Sequence, residues 1–96
     1  MIGLKKAKRA LATAPEEFRF FLHDGRVLAN LIDLRDALSN MSQETFSRHV
    51  NADKNDFAVW VEQVLQDGEL GLQLKRVKTQ KTAKQKVADR INKCYV

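Results

Sequence analysis

His23, His49 and Cys94 are the residues of this 96-residue chain whose side chains are best suited to metal or covalent chemistry. A zinc site needs ligands at short, repeated spacings, and the two histidines form no His-x-x-x-His pair. One cysteine supports neither an internal disulfide nor a cysteine-based zinc site. Cys94 also stands near the C-terminal end, where fraying backbone holds a nucleophile poorly. Ser39, Ser42 and Ser47 lack the Gly-x-Ser-x-Gly setting of a nucleophile elbow. Gly68 and Gly71 belong to no phosphate-cradling loop, and no Gly-Lys-Thr follows them. The acid pairs Glu16/Glu17 and Asp33/Asp36 flank predicted element starts, where carboxylates favour the helix dipole or solubility. His23 is expected on an exposed turn. His49 falls where a helix faces the core, and reads as a structural histidine bonded to a loop carbonyl or to Asp56. These residues predict a non-enzymatic chain with no catalytic group, no metal and no cofactor.

The best candidate for function is a basic C-terminal stretch. Lys75, Arg76, Lys78, Lys81, Lys84, Lys86, Arg90 and Lys93 fall within nineteen residues. On a helix several of them share one side, the footprint expected for a phosphate backbone. No aromatic residue interleaves with them before Tyr95, so base stacking is not indicated. Binding of DNA or RNA there would be electrostatic and weakly sequence-selective. Two helices meeting near Asp67-Gly68 also permit a helix-turn-helix, though the turn carries no distinguishing pattern.

The formal net charge of +5 conceals an uneven layout. Residues 1–15 hold four basic side chains and no acid, residues 16–67 five basic and ten acidic, and residues 68–96 eight basic and two acidic. Basic ends around an acidic middle suit contact with a partner of opposite charge, or of the middle of one copy with the ends of another. The leading expectation is an interaction module that assembles with a protein partner or with itself. A nucleic-acid binder is the alternative. Strong membrane contact through Met1–Ala14 is not expected, since that segment has few bulky apolar residues. One free cysteine and no apolar signal core point to the cytoplasm.

The elements that must position these residues follow from periodicity. The expected fold is mainly α: four or five short helices carrying a short N-terminal β-hairpin, in one domain. It divides into a basic N-terminal segment (1–15), a core (16–77) and a basic C-terminal helix (78–96). Met1–Ala14 reads as a short helix interrupted by Pro15. Phe18–Leu22 and Val27–Ala29 read as strands joined by Asp24-Gly25 in a two-residue type I′ turn. That turn sets Leu22 opposite Val27 and Phe21 opposite Leu28.

Asn30 is placed to cap a helix bearing Leu31, Leu34 and Leu38 that ends at Ser39-Asn40. Ser42 caps the next, with Met41 and Phe46 as a hydrophobic staple and Phe46, His49 and Val50 on its buried face. Asn51 is suited to end that helix in the left-handed region, and Asn55 or Asp56 to start another. Phe57, Trp60, Val61, Val64 and Leu65 give the clearest amphipathic stripe, running to a stop at Asp67-Gly68. A helix with Leu70, Leu74 and Val77 follows, its Gly71 suggesting a close helix contact. Thr82 and Gln85 form a capping box for the last helix. The expected core is Phe20, Leu22, Leu31, Leu34, Leu38, Phe46, Phe57, Trp60, Val61, Val64, Leu65 and Leu74.

Read as one string, Phe21-Leu22-x-Asp24-Gly25, Leu31-x-x-Leu34, Met41-Ser42 and Phe46-x-x-His49-Val50-Asn51-x-x-Lys54-Asn55-Asp56-Phe57-Ala58-x-Trp60-Val61 resemble a small domain of unknown function from archaeal and bacterial proteins. The resemblance spans residues 18–75, and the His-Val-Asn to Trp portion is its specific part. It implies a compact, mostly helical unit and assigns no functional residue.

Overall fold

The computed structural model describes residues 13–95. The helix expected over Met1–Ala14 therefore lies largely outside the described residues, and Thr13 and Ala14 themselves are not helical. A 3₁₀ turn at Glu16–Phe18 leads into strands β1 (Phe20–Phe21) and β2 (Val27–Leu28). Five helices follow: α1 (Leu31–Asn40), α2 (Gln43–His49), α3 (Asp56–Gln63), α4 (Gly68–Lys75) and α5 (Gln80–Arg90). A π turn at Ile91–Tyr95 ends the described chain. The fold is mainly α with a two-stranded antiparallel hairpin, as the periodicity predicts.

The hairpin register differs from expectation by one residue. Phe20 pairs with Leu28 and Phe21 with Val27. The loop is three residues, not two. Gly25 N–H donates to Leu22 O at 2.9 Å, and Leu22 N–H donates to Arg26 O at 2.8 Å. A type I′ turn would require positive φ at Asp24 as well as Gly25. Only Gly25 has it, at 99°. Asp24 instead accepts the Arg26 N–H on its carboxylate at 3.1 Å. The shift matters because side chains alternate across a strand: Phe20 and Leu28 both face the core, while Phe21 and Val27 both face solvent.

Two short strands are marginal alone, so the hairpin depends on the helices beneath it. Phe20 inserts between α2 and α3, stacked on Phe57 at 5.0 Å and edge-on to Trp60 at 5.7 Å. Trp60 Nε1–H donates to Phe18 O at 2.8 Å, which fixes the approach to β1.

Side chains that cap set the helix starts. Asn30, Ser42, Asn55 and Asp67 accept N–H bonds from Asp33, Thr45, Ala58 and Leu70 respectively. The last helix begins a turn earlier than predicted. Thr79, not Thr82, is its cap and accepts the Thr82 N–H at 3.2 Å. The added turn brings Gln80 onto the open C-terminal carbonyls of α1, where its amide donates to Leu38 O and Met41 O, both at 2.8 Å. Asn51 closes α2 through an Asx turn to Asp53 N–H at 3.0 Å, with negative φ, rather than in the left-handed region.

Every predicted core residue is buried except Val64, which is half-buried. α3 ends at Gln63, so Val64 sits at its cap on the rim, and the chain then turns through Gln66 at φ 58°, which lets Asp67 N–H donate back to Val61 O at 3.1 Å. Gly71 does mark a close helix contact. A Cβ there would lie 3.0 Å from Glu62 Cβ and 3.2 Å from Ala58 O, so a side chain at this position would press α4 away from α3 by a few tenths of an ångström.

Candidate binding surface

The basic residues singled out from the sequence divide into two groups. Lys75, Arg76, Lys78, Lys81, Lys84, Lys86 and Lys93 are exposed. Arg90 is not, and its place on the expected surface is corrected here. It is 9% exposed and grips Asp67, which is fully buried: Nε donates to Oδ2 and Nη2 to Oδ1, both at 2.9 Å. Its Nη1 reaches Glu69 Oε2 at 3.0 Å. Arg90 shares the inward stripe of Ala83, Val87 and Ile91, and a buried charge persists only when paired and hydrogen-bonded. Asp67 also caps α4 through Leu70 N–H at 3.1 Å. One carboxylate therefore starts α4 and fastens α5 across it. The offsets of Ala83, Val87 and Arg90 carried the signal for this in the sequence.

The exposed lysines of α5 do not form one face. Residues advance by about 100° around a helix, so Lys81 and Lys84 lie about 60° apart, while Lys86 lies about 140–160° from both. Lys81 and Lys84 border a groove of about 420 Å³ between α5 and the end of α1, with Leu38, Ser39, Gln43 and Gln80. Lys75 and Lys78 border a second, about 220 Å³, against the loop 50–55. Successive residues of the joint between α4 and α5 line the two grooves, Val77 and Lys78 the smaller and Thr79 the larger.

Several carboxylates elsewhere are matched by cations close at hand. Arg26 is held on Asp24 at 2.9 Å, Arg35 on Asp36 at 3.2 Å, Lys54 on Asp56 at 3.0 Å and Arg48 near Glu44 at 3.8 Å. The Arg26 side chain, and next its backbone N–H, hold the Asp24 carboxyl below its ordinary range. Lys75 lies 3.8 Å from Glu62. Arg76, Lys78, Lys81, Lys84, Lys86 and Lys93 make no ion pair with a described carboxylate. No Asp or Glu occurs from residue 70 through 88.

His49 is the strongest remaining candidate for chemistry, and its ring is fully engaged. Nε2 accepts the His23 backbone N–H at 2.9 Å, and Nδ1 lies 3.0 Å from Asp56 Oδ2. An acceptor at Nε2 makes Nδ1 the protonated nitrogen, so it donates to Asp56. The ring packs 5.0 Å from Phe20 and 5.3 Å from Phe57. Both nitrogens tie the hairpin turn to α2 and α3. In the stretch 49–57 Asn55 is likewise committed: it caps α3 and donates from Nδ2 to Leu74 O at 2.8 Å. Among the described residues no group of three or more His, Cys, Asp or Glu side chains gathers around a metal position.

A second exposed feature has no counterpart in the sequence reading. Phe21 is 67% exposed, Phe18 55% and Val27 47%. Alternation along β1 carried the signal, since Phe20 and Leu22 facing inward turns Phe21 outward.

Comparison with family models, curated proteins and solved structures finds no match to this chain. The resemblance over residues 18–75 thus lends no residue to this surface. No helix among the described residues is long and apolar enough to cross a membrane.

Proposed function

We propose that this chain is a non-enzymatic interaction module that assembles with a protein partner or with a second copy of itself. The observation that carries the reading is the outward face of the hairpin, where Phe21 and Val27 stand opposite each other in solvent with Phe18 close by in sequence. Burying such side chains in an interface stabilises it by about 1.5–3 kcal/mol each. The Trp60 bond to Phe18 O holds the segment in place while the Phe18 ring remains in water. Meanwhile His49, Asp56, Asp67 and Arg90, the groups best able to do chemistry, are spent on structural bonds. Light-scattering mass over a concentration series, with affinity capture alongside, tests this. The expected result is a rising mass or a captured protein, lost in Phe21→Ser/Val27→Ser with circular dichroism unchanged. A constant monomer mass, with no captured protein that the variant loses, overturns it.

The unmatched cations at residues 76–93 favour a second reading, electrostatic binding of DNA or RNA with little sequence preference. Its signature is affinity that falls steeply and linearly with salt on logarithmic axes. Affinity indifferent to salt removes it.

A further inference from the structure

The second reading gains a specific geometry from the joint between α4 and α5. Lysine recurs every third residue at 75, 78, 81 and 84. Each follows a residue turned inward: Leu74, Val77 and Ala83 are buried, and Gln80 is half-buried and bonded to two carbonyls. The repeat runs without a break through the end of one helix, the joint and the start of the next. The inward residue fixes each backbone position, and the following lysine stands at the groove edge. Lys75 and Lys78 border one groove and Lys81 and Lys84 the other. Asp53 is the single carboxylate lining either groove.

We propose that Lys75, Lys78, Lys81 and Lys84 form a rail that seats the sugar–phosphate backbone of a nucleic-acid strand across the two grooves. The inference rests on the nucleic-acid reading above. Charge complementarity selects the occupant. An acid-free run of nineteen residues, 70–88, presents spaced positive charges to a partner with regularly spaced negative ones. The Gln43 amide borders the larger groove and keeps one N–H beyond its bond to Ser47 Oγ, which suits a phosphate oxygen. With no aromatic side chain at the rail, bases are not stacked and sequence is not read. Lys86, on the other flank of α5, takes no part, and Arg90 is buried beneath.

The test is fluorescence anisotropy with a labelled 20-nucleotide oligothymidylate across a salt series, using the full chain. Four phosphate contacts give a slope of log affinity against log salt of about −2.8 on a single strand, or about −3.6 on a duplex. Two charge-matched variants decide the location. Lys78→Glu/Lys81→Glu is expected to weaken binding at least tenfold and flatten the slope by about 1.4. Lys86→Glu/Lys93→Glu, with the same change in charge, is expected to weaken it less than threefold. All four positions are exposed, and unchanged circular dichroism confirms that the variants fold. Equal weakening by both pairs overturns the rail and leaves the nucleic-acid reading standing. No binding at 50 mM salt overturns both. Polyglutamate of matched charge binding as tightly also overturns the rail, and points to an acidic protein instead.

Discussion

Two regions of this molecule handle charge in opposite ways. From Asp24 to Glu69 most charged side chains are clasped by a neighbour, and several of those clasps also cap a helix or anchor a turn. From Arg76 to Lys86 the cations stand in solvent without a described counter-ion, on a backbone fixed from below by Val77, Gln80 and Ala83. Charge in the first region serves the fold. Charge in the second costs little to place and does little for the fold. Arg90 lies in the sequence of the second region but belongs to the first by its contacts.

The largest break in this contrast comes at Asp67. Asp67→Ala leaves Arg90 buried without its principal counter-ion and α4 without its cap, and should lower unfolding free energy by about 3–5 kcal/mol in urea. A loss under 1 kcal/mol would place Arg90 with the surface cations after all. Next is His49→Phe, which keeps a ring between Phe20 and Phe57 but loses the bonds to His23 N–H and Asp56. A loss of about 1–3 kcal/mol is expected, read as a shifted thermal midpoint. Lys78→Gln, Lys81→Gln and Lys84→Gln should each stay within about 0.5 kcal/mol of the parent, and larger losses would give the rail a structural role.

The smallest effect belongs to Asp24. Its carboxyl titrates below the ordinary value of about 3.9 because Arg26 stabilises the charged form. The folded value lies below the unfolded one, so the Arg26 contact contributes fully above about pH 4 and is lost as pH falls through the lowered value. Asp24→Asn should remove that part of the acid limb from a pH–stability curve and change little at neutral pH. An identical acid limb in both proteins would show that the clasp is silent.

The sequence made some of this legible and hid the rest for physical reasons. Asn30, Ser42 and Asn55 could be read as caps because each side chain acts on a backbone N–H three residues away. The stripe from Phe57 to Val61 was legible because one helix face meets one core. The hairpin's position was legible but its register was not, since Asp-Gly serves two-residue and three-residue loops alike and an Asp24 hydrogen bond decides between them. Thr79 and Thr82 are both plausible caps, and the choice falls to the distant carbonyls of Leu38 and Met41 that Gln80 must satisfy. Counting basic residues along residues 75–93 blurred the candidate surface. Only packing separates Arg90, drawn in by Asp67, from Lys81 and Lys84.

The bond from Trp60 to Phe18 has a spectroscopic consequence. The chain contains one tryptophan, and its indole is 6% exposed beneath the hairpin, edge-on to Phe20. Its emission is therefore a built-in optical gauge of whether the hairpin is seated. If the strands lift before the helices melt, the emission maximum moves to the red while the helical dichroism at 222 nm holds. If the two signals change together, hairpin and helices open as one cooperative unit.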